Sequence, residues 1–145
     1  MKVFIIDNDQ KFINNFEKAI KEYNADIKIL GKLDSAKKSL QWFQAHENPD
    51  LVFMDLEMAE EVDFEIFEQL MIMAPIIYIT EFKDFVIRVF KSNEVDFILK
   101  PLDKDELFDL LKKYESIVQS SLNNMNTDVL DNVMKMLNKE FKKRF

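Results

Sequence analysis

The chain reads as an α/β domain: a doubly wound, five-stranded parallel sheet with a helix after each strand and an extra helix at the C-terminus. Two patterns predict this. Five short runs rich in Ile, Val, Leu and Phe recur along the chain, and amphipathic stretches with apolar residues three and four apart lie between them. The runs are Val3–Ile6, Ile27–Leu30, Leu51–Met54, Ile76–Ile79 and Val95–Leu99. Short, largely apolar runs of this kind suit strands buried on both faces. The third observation is size: 145 residues, 48% of them apolar, fit one domain with a full core.

The elements follow in order. Phe12, Ile13, Phe16, Ile20 and Tyr23 share one helical face after the first run, and Ala36, Leu40 and Phe43 share one after the second. Asn48-Pro49-Asp50 breaks the chain before the third run. Ile66, Phe67, Leu70 and Met71 mark a third helix, and Val86, Val89 and Phe90 a fourth. The fifth carries Leu107, Leu110, Leu111, Tyr114 and Ile117. It opens with Asp103 as cap and Glu106 three residues on. Beyond Asn123-Asn124-Met125-Asn126, Thr127 is a cap for a sixth helix with Val129, Val133, Met136 or Leu137, Phe141 and Phe145 on one stripe. The expected division is residues 1–121 as the domain and 122–145 as a helical extension or linker.

Composition narrows the chemistry. The absence of Cys removes disulfides, thiolate metal sites and Cys nucleophiles, and a single His removes multi-His metal cages. That residue, His46, sits at a helix end, where a surface cap is the expected role. No apolar run is long enough for a membrane span, and the start lacks a signal peptide's apolar stretch, so a cytoplasmic location is expected. A net charge of −7 argues against direct nucleic-acid binding by this chain. Residues 135–145 run the other way, with five bases against Glu140 alone. Carboxylate chemistry and hard cations remain.

In a parallel sheet with right-handed crossovers, the ligand lies beyond the carboxyl ends of the strands. Those ends carry Asp7-Asn8-Asp9, Asp55-Leu56-Glu57, Thr80 and Lys100-Pro101. Singly, each has a plain structural role: a strand-end Asp caps or turns, a Lys solvates. Together they suit phosphoryl transfer. Carboxylates without His or Cys favour Mg²⁺ or Mn²⁺. A carboxylate nucleophile yields an acyl phosphate, a Lys offers positive charge to the phosphoryl group, and a Thr hydroxyl can donate to it.

With these residues in view, the sequence resembles the receiver domain of two-component response regulators, over roughly residues 1–120. The resemblance lies in Phe4-Ile5-Ile6-Asp7-Asn8-Asp9, in the segment from Pro49-Asp50 through Asp55 to Met58, in Pro75-Ile76-Ile77-Tyr78-Ile79-Thr80, and in Val95-Asp96-Phe97-Ile98-Leu99-Lys100-Pro101. The stretch Phe82, Asp84-Phe85, Val89-Phe90 is most similar to the branch whose output is a LytTR DNA-binding domain. The resemblance implies a flavodoxin-like sheet of strand order 2-1-3-4-5. It implies that Asp55 takes a phosphoryl group from a sensor histidine kinase. Asp7, Asn8, Asp55 and the Glu57 carbonyl would hold Mg²⁺, with Asp9 as an auxiliary carboxylate. Thr80 and Lys100 would contact the phosphoryl group, and Phe97 would be the switch aromatic. Lys100-Pro101 would be a cis peptide, and Phe82 would flank the path of the hydrolytic water.

The sequence departs from the family's pattern in two places. Asn8 stands where a second acid is usual, and Met58-Ala59-Glu60-Glu61-Val62-Asp63-Phe64 lacks the usual Pro and Gly. Two alternatives stand beside the phosphoacceptor reading: a degenerate receiver that acts only as a protein-interaction module, and a phosphohydrolase of the haloacid-dehalogenase type, whose Asp-x-Asp motif Asp7-Asn8-Asp9 fits. A homodimer through the fourth helix, fifth strand and fifth helix, joined by the C-terminal helix, and an output domain beyond this chain are the further partners implied.

Overall fold

The computed structural model describes residues 1–57, 69, 74–82 and 96–124, with backbone alone for 121–124. Strands β1 (Lys2–Ile6), β2 (Lys28–Leu33), β3 (Leu51–Asp55), β4 (Ile76–Thr80) and β5 (Phe97–Leu99) form one sheet. Helices α1 (Gln10–Tyr23), α2 (Ala36–Ala45) and α3 (Lys104–Asn124) are delimited among the described residues. The expected helices around 66–71 and 86–90, and the one from Thr127, lie outside the described residues. All pairings are parallel, in the order β2-β1-β3-β4-β5.

Alternation along the strands divides the core in two. Val3, Ile5, Leu51, Phe53, Ile77, Ile79 and Ile98 face α1 and α3, and meet Phe16, Ile20, Leu107 and Leu111. Phe4, Ile6, Val52, Met54 and Tyr78 turn to the other face, against Leu40 and Phe43 of α2. Phe16 and Phe53 meet edge-on at 4.8 Å, and Phe4 and Phe43 at 4.7 Å. Burial on both faces is why β1 and β3 read as unbroken apolar runs.

Helix starts use the side chains the sequence offers. Asp9 accepts from Phe12 N–H at 3.1 Å and Ser35 from Lys38 N–H at 3.3 Å. Asp103 accepts from Asp105 N–H at 2.9 Å. Each satisfies a first-turn donor without an intrahelical partner. His46 caps the end of α2, its Nδ1 2.8 Å from the Trp42 carbonyl and its ring stacked on the indole at 4.1 Å.

Two elements differ from their sequence signal. β2 covers Lys28–Leu33 rather than Ile27–Leu30. Val3 pairs with Ile29 but Phe4 with Gly31, so Leu30 is an extra residue and the strand bulges. Gly31 is required there: a Cβ would fall 2.6 Å from a Phe4 ring carbon. Pairing with β1 carries the strand through Gly31-Lys32-Leu33, which has no apolar run of its own. The second difference is β5, which covers Phe97–Leu99 rather than Val95–Leu99, with Asp96 ahead of the strand.

Candidate functional site

The site assembles at the carboxyl ends of β1, β3, β4 and β5. Three strand-end side chains fold back in the same way. Asp7 Oδ1 accepts from Asp9 N–H at 2.8 Å, Asp55 Oδ1 from Glu57 N–H at 2.8 Å, and Thr80 Oγ1 from Phe82 N–H at 3.0 Å. Short oxygen-bearing side chains favour this turn, and it fixes each side chain at the sheet's edge. Asp7, Asp55 and Thr80 are all buried.

Lys100 brings the two carboxylates together. Its Nζ lies 2.9 Å from Asp55 Oδ2 and 3.2 Å from Asp7 Oδ2. Its own backbone N–H donates to the Thr80 carbonyl at 2.8 Å, which locks the end of β5 to β4. The Lys100–Pro101 peptide is cis. Burial pushes the Asp7 carboxyl up from the ordinary carboxylate range. The Asp9 N–H and Lys100 oppose this, and the neighbouring Asp55 charge adds to it. Burial also works against the Lys100 ammonium, but its hydrogen bond to Asp55 and the charges of Asp7 and Asp55 outweigh this and hold its pKa above the ordinary lysine value.

The donor set fits a hard divalent cation. Asp7 Oδ2 is buried and makes no hydrogen bond, although the ammonium is near. A charged oxygen so placed suits a cation bound by oxygen ligands. Among the described residues no three or more acidic, His or Cys side chains converge as a metal cluster. Mg²⁺ would therefore draw on two carboxylates and on neutral oxygens, the Asn8 amide and the Glu57 carbonyl.

The other sequence candidates stand around this centre. Asn8, Glu57, Phe82 and Pro101 are exposed at the rim, Phe82 by 59%. Phe97 is half-buried on the α2 face of the sheet, paired across the strands with Tyr78. Asp9, expected as an auxiliary carboxylate, is the N-cap of α1, because a helix start needs an acceptor at that position. One contributor went unread in the sequence. The Phe12 ring lies 4.7 Å from Lys100 Nζ. Its signal was its place in the first turn after the acidic strand end.

The chain is similar to known proteins over most of its length. The family profile of the response regulator receiver domain matches residues 3–112. The sensory transduction protein LytT of Bacillus anthracis is 28% identical over 125 residues, covering 84% of this chain and 50% of that protein. An uncharacterized response regulatory protein of Shewanella oneidensis is 34% identical over 91 residues, covering 61% of this chain and 38% of that one. The chain thus spans about half the length, or less, of these curated relatives. Among solved structures, the response regulatory domain of MrkE from Klebsiella pneumoniae superposes with a TM-score of 0.68 at 22% identity, covering 83% of this chain and 99% of that one. The sheet order, the match over most of the chain and the LytT-type relatives lead to one conclusion: the chain belongs to the response regulator receiver family and carries the receiver domain of a two-component system.

Proposed function

We propose that Asp55 accepts a phosphoryl group from the phosphohistidine of a sensor histidine kinase, with Mg²⁺ held by Asp7, Asn8, Asp55 and the Glu57 carbonyl. One observation carries the reading: two buried carboxylates from different strands share the ammonium of Lys100, and one oxygen of Asp7 makes no hydrogen bond. An Asp55 oxygen attacks phosphorus, the P–N bond breaks, and the imidazole nitrogen keeps the electron pair and takes up a proton. The product is an acyl phosphate. Bound Mg²⁺ supplies Lewis-acid charge against the repulsion between carboxylate and phosphoryl oxygens. Lys100, freed from Asp55, pairs with the new oxygens. The Thr80 oxygen already accepts from Phe82, so its hydroxyl hydrogen is left to donate to the phosphoryl group. Phe97, on the strand beside Thr80, follows as the switch aromatic.

In this reading residues 1–121 are the receiver and 122–145 lead toward an output domain, as the greater length of the relatives supports. The location is cytoplasmic, beside the kinase's catalytic portion. Among the described residues no helix is long and apolar enough to cross a membrane. A phosphohydrolase is disfavoured, because the second acid of its motif, Asp9, serves as a helix cap.

The test is intact-protein mass after acetyl phosphate and Mg²⁺. One added phosphoryl group, lost in Asp55→Ala, supports the assignment. Label retained in that variant, or located on Asp7, overturns it. A second reading, a receiver that only binds proteins, is favoured by the exposed Asn8 and by Lys100 already neutralising one carboxylate. No mass gain, together with no response to beryllofluoride, selects it.

A further inference from the structure

β5 is three residues long and lies at the edge of the sheet, with β4 as its one strand neighbour. An edge strand this short has little ladder to hold it. Lys100 N–H donates to the Thr80 carbonyl at 2.8 Å at one end, and Tyr78 N–H donates to the Asp96 carbonyl at a longer 3.2 Å at the other. Yet this strand delivers the ammonium that Asp7 and Asp55 share.

The Asp96 end is fastened by side chains instead. Asp96 Oδ2 accepts from Tyr114 OH at 2.6 Å and from Lys113 Nζ at 2.8 Å. Both donors belong to α3 and follow Leu111, which is fully buried in the core that also holds Leu107 and Ile98. The helix is thus fixed on the sheet, and the strand start is tied to the helix. Of the two contacts the phenol carries more. Lys113 is half in solvent, where an ion pair adds little. Tyr114 is half-buried and donates to a carboxylate only 21% exposed, a charge-assisted bond. The proposed phosphoryl chemistry uses none of these three residues.

We infer that the Asp96–Tyr114 hydrogen bond is a positioning contact for Lys100: it pins the start of β5 to α3 and so fixes where the other end of the strand places its ammonium. Four residue steps separate Asp96 from Lys100, about 13 Å of extended chain. Ile98, midway, is fully buried, so the strand moves as one piece. Released at Asp96, β5 pivots about the short Thr80–Lys100 bond, and the Lys100 side chain shifts against Asp7 and Asp55. Asp96 and Tyr114 touch no reacting atom and act through Lys100. The placement of Lys100 stands by itself, whereas its kinetic consequence rests on phosphorylation of Asp55 as proposed above.

Tyr114→Phe in the full chain removes the hydroxyl alone. The Lys100 ammonium resonance, assigned by its absence in Lys100→Met, should shift toward those of solvent-exposed lysines. Phosphorylation by acetyl phosphate should slow about three- to tenfold, less than the roughly hundredfold that an ångström of misplacement can cost. Asp96→Ala should have at least as large an effect, and Asp96→Asn, which keeps an acceptor, should fall between it and the native chain. Tyr23→Phe is the control: it removes a phenol hydroxyl bonded to Glu115, between α1 and α3, and should leave both readouts native. A native Lys100 resonance in Tyr114→Phe and Asp96→Ala overturns the inference. An equal shift in Tyr23→Phe also overturns it, because that marks a general loosening of α3. A shifted resonance with an unchanged rate overturns the role in the reaction. A shifted resonance in Tyr114→Phe, with no phosphorylation of the native chain, supports the positioning contact and overturns the proposed function alone.

Discussion

The Phe12 ring and the Lys100 ammonium meet at 4.7 Å, so the first turn of α1 steadies a charge delivered by the end of β5. A cation over an aromatic face is held by the ring's quadrupole, at about 0.5 to 2 kcal/mol depending on desolvation. Lys100 thus has three neighbours, two carboxylates and a ring, and two of them, Asp7 and the ring, would remain if Asp55 were phosphorylated.

The first prediction follows from that contact. Phe12→Leu keeps an apolar side chain, somewhat smaller, but loses the quadrupole. Phosphorylation of Asp55 by acetyl phosphate should slow roughly two- to thirtyfold, the range that energy spans. The thermal midpoint should change little by comparison. A rate equal to wild type would show that the ring does not position Lys100.

The second concerns the metal. In the proposed ligand set Asn8 would offer an amide oxygen without charge. Asn8→Asp adds one negative charge beside Asp7 and should tighten Mg²⁺ binding several-fold or more, through the added Coulomb attraction. Calorimetric titration of both proteins at one ionic strength checks it. Equal affinities would remove Asn8 from the ligand set.

Phe82 is the subject of the third. It is 59% exposed at the rim, and its backbone N–H holds the Thr80 oxygen. Phe82→Ala keeps that N–H and removes the bulk that would restrict water. Loss of the phosphoryl group should accelerate, with phosphorylation intact. A decay rate that is unchanged or slower would refute the shielding role.

The fourth is a pH dependence. Burial, then Glu115, pushes the Tyr23 phenol up to about 12. Burial, then Asp96, which accepts from Tyr114 OH at 2.6 Å, raises Tyr114 as well. A raised phenol pKa means the folded state keeps a proton that the unfolded state releases. The stability these tyrosines contribute is therefore complete below the ordinary tyrosine value near pH 10 and declines as pH rises above it. Urea midpoints at pH 9 and pH 11 should diverge less in Tyr23→Phe/Tyr114→Phe than in the native chain. Identical divergence would contradict the linkage.

The strands and the site's charged residues were legible in the sequence for one physical reason. Strands buried on both faces must be apolar throughout, so the first polar residue after each run marks the sheet's edge, where Asp7, Asp55, Thr80 and Lys100 stand. β2 was less legible, because an edge strand is recruited by its neighbour and takes in Gly31-Lys32-Leu33. Asp9 looked like chemistry because a helix cap and a metal ligand call for the same carboxylate. Phe12 looked like core because an aromatic residue on a helix's inner face reads the same whether it packs on Leu or beneath an ammonium.

The bulge at Leu30 reaches beyond β2. A sheet with an open edge can grow by accepting a strand from another molecule, and regular, flat, apolar edges do so most readily. Here the outermost strand carries exposed Lys28 and Lys32 on either side of the irregularity, and its ladder is out of step midway. A strand laid alongside would have to match the kink and lie beside two ammonium groups. That edge is poorly suited to sheet extension.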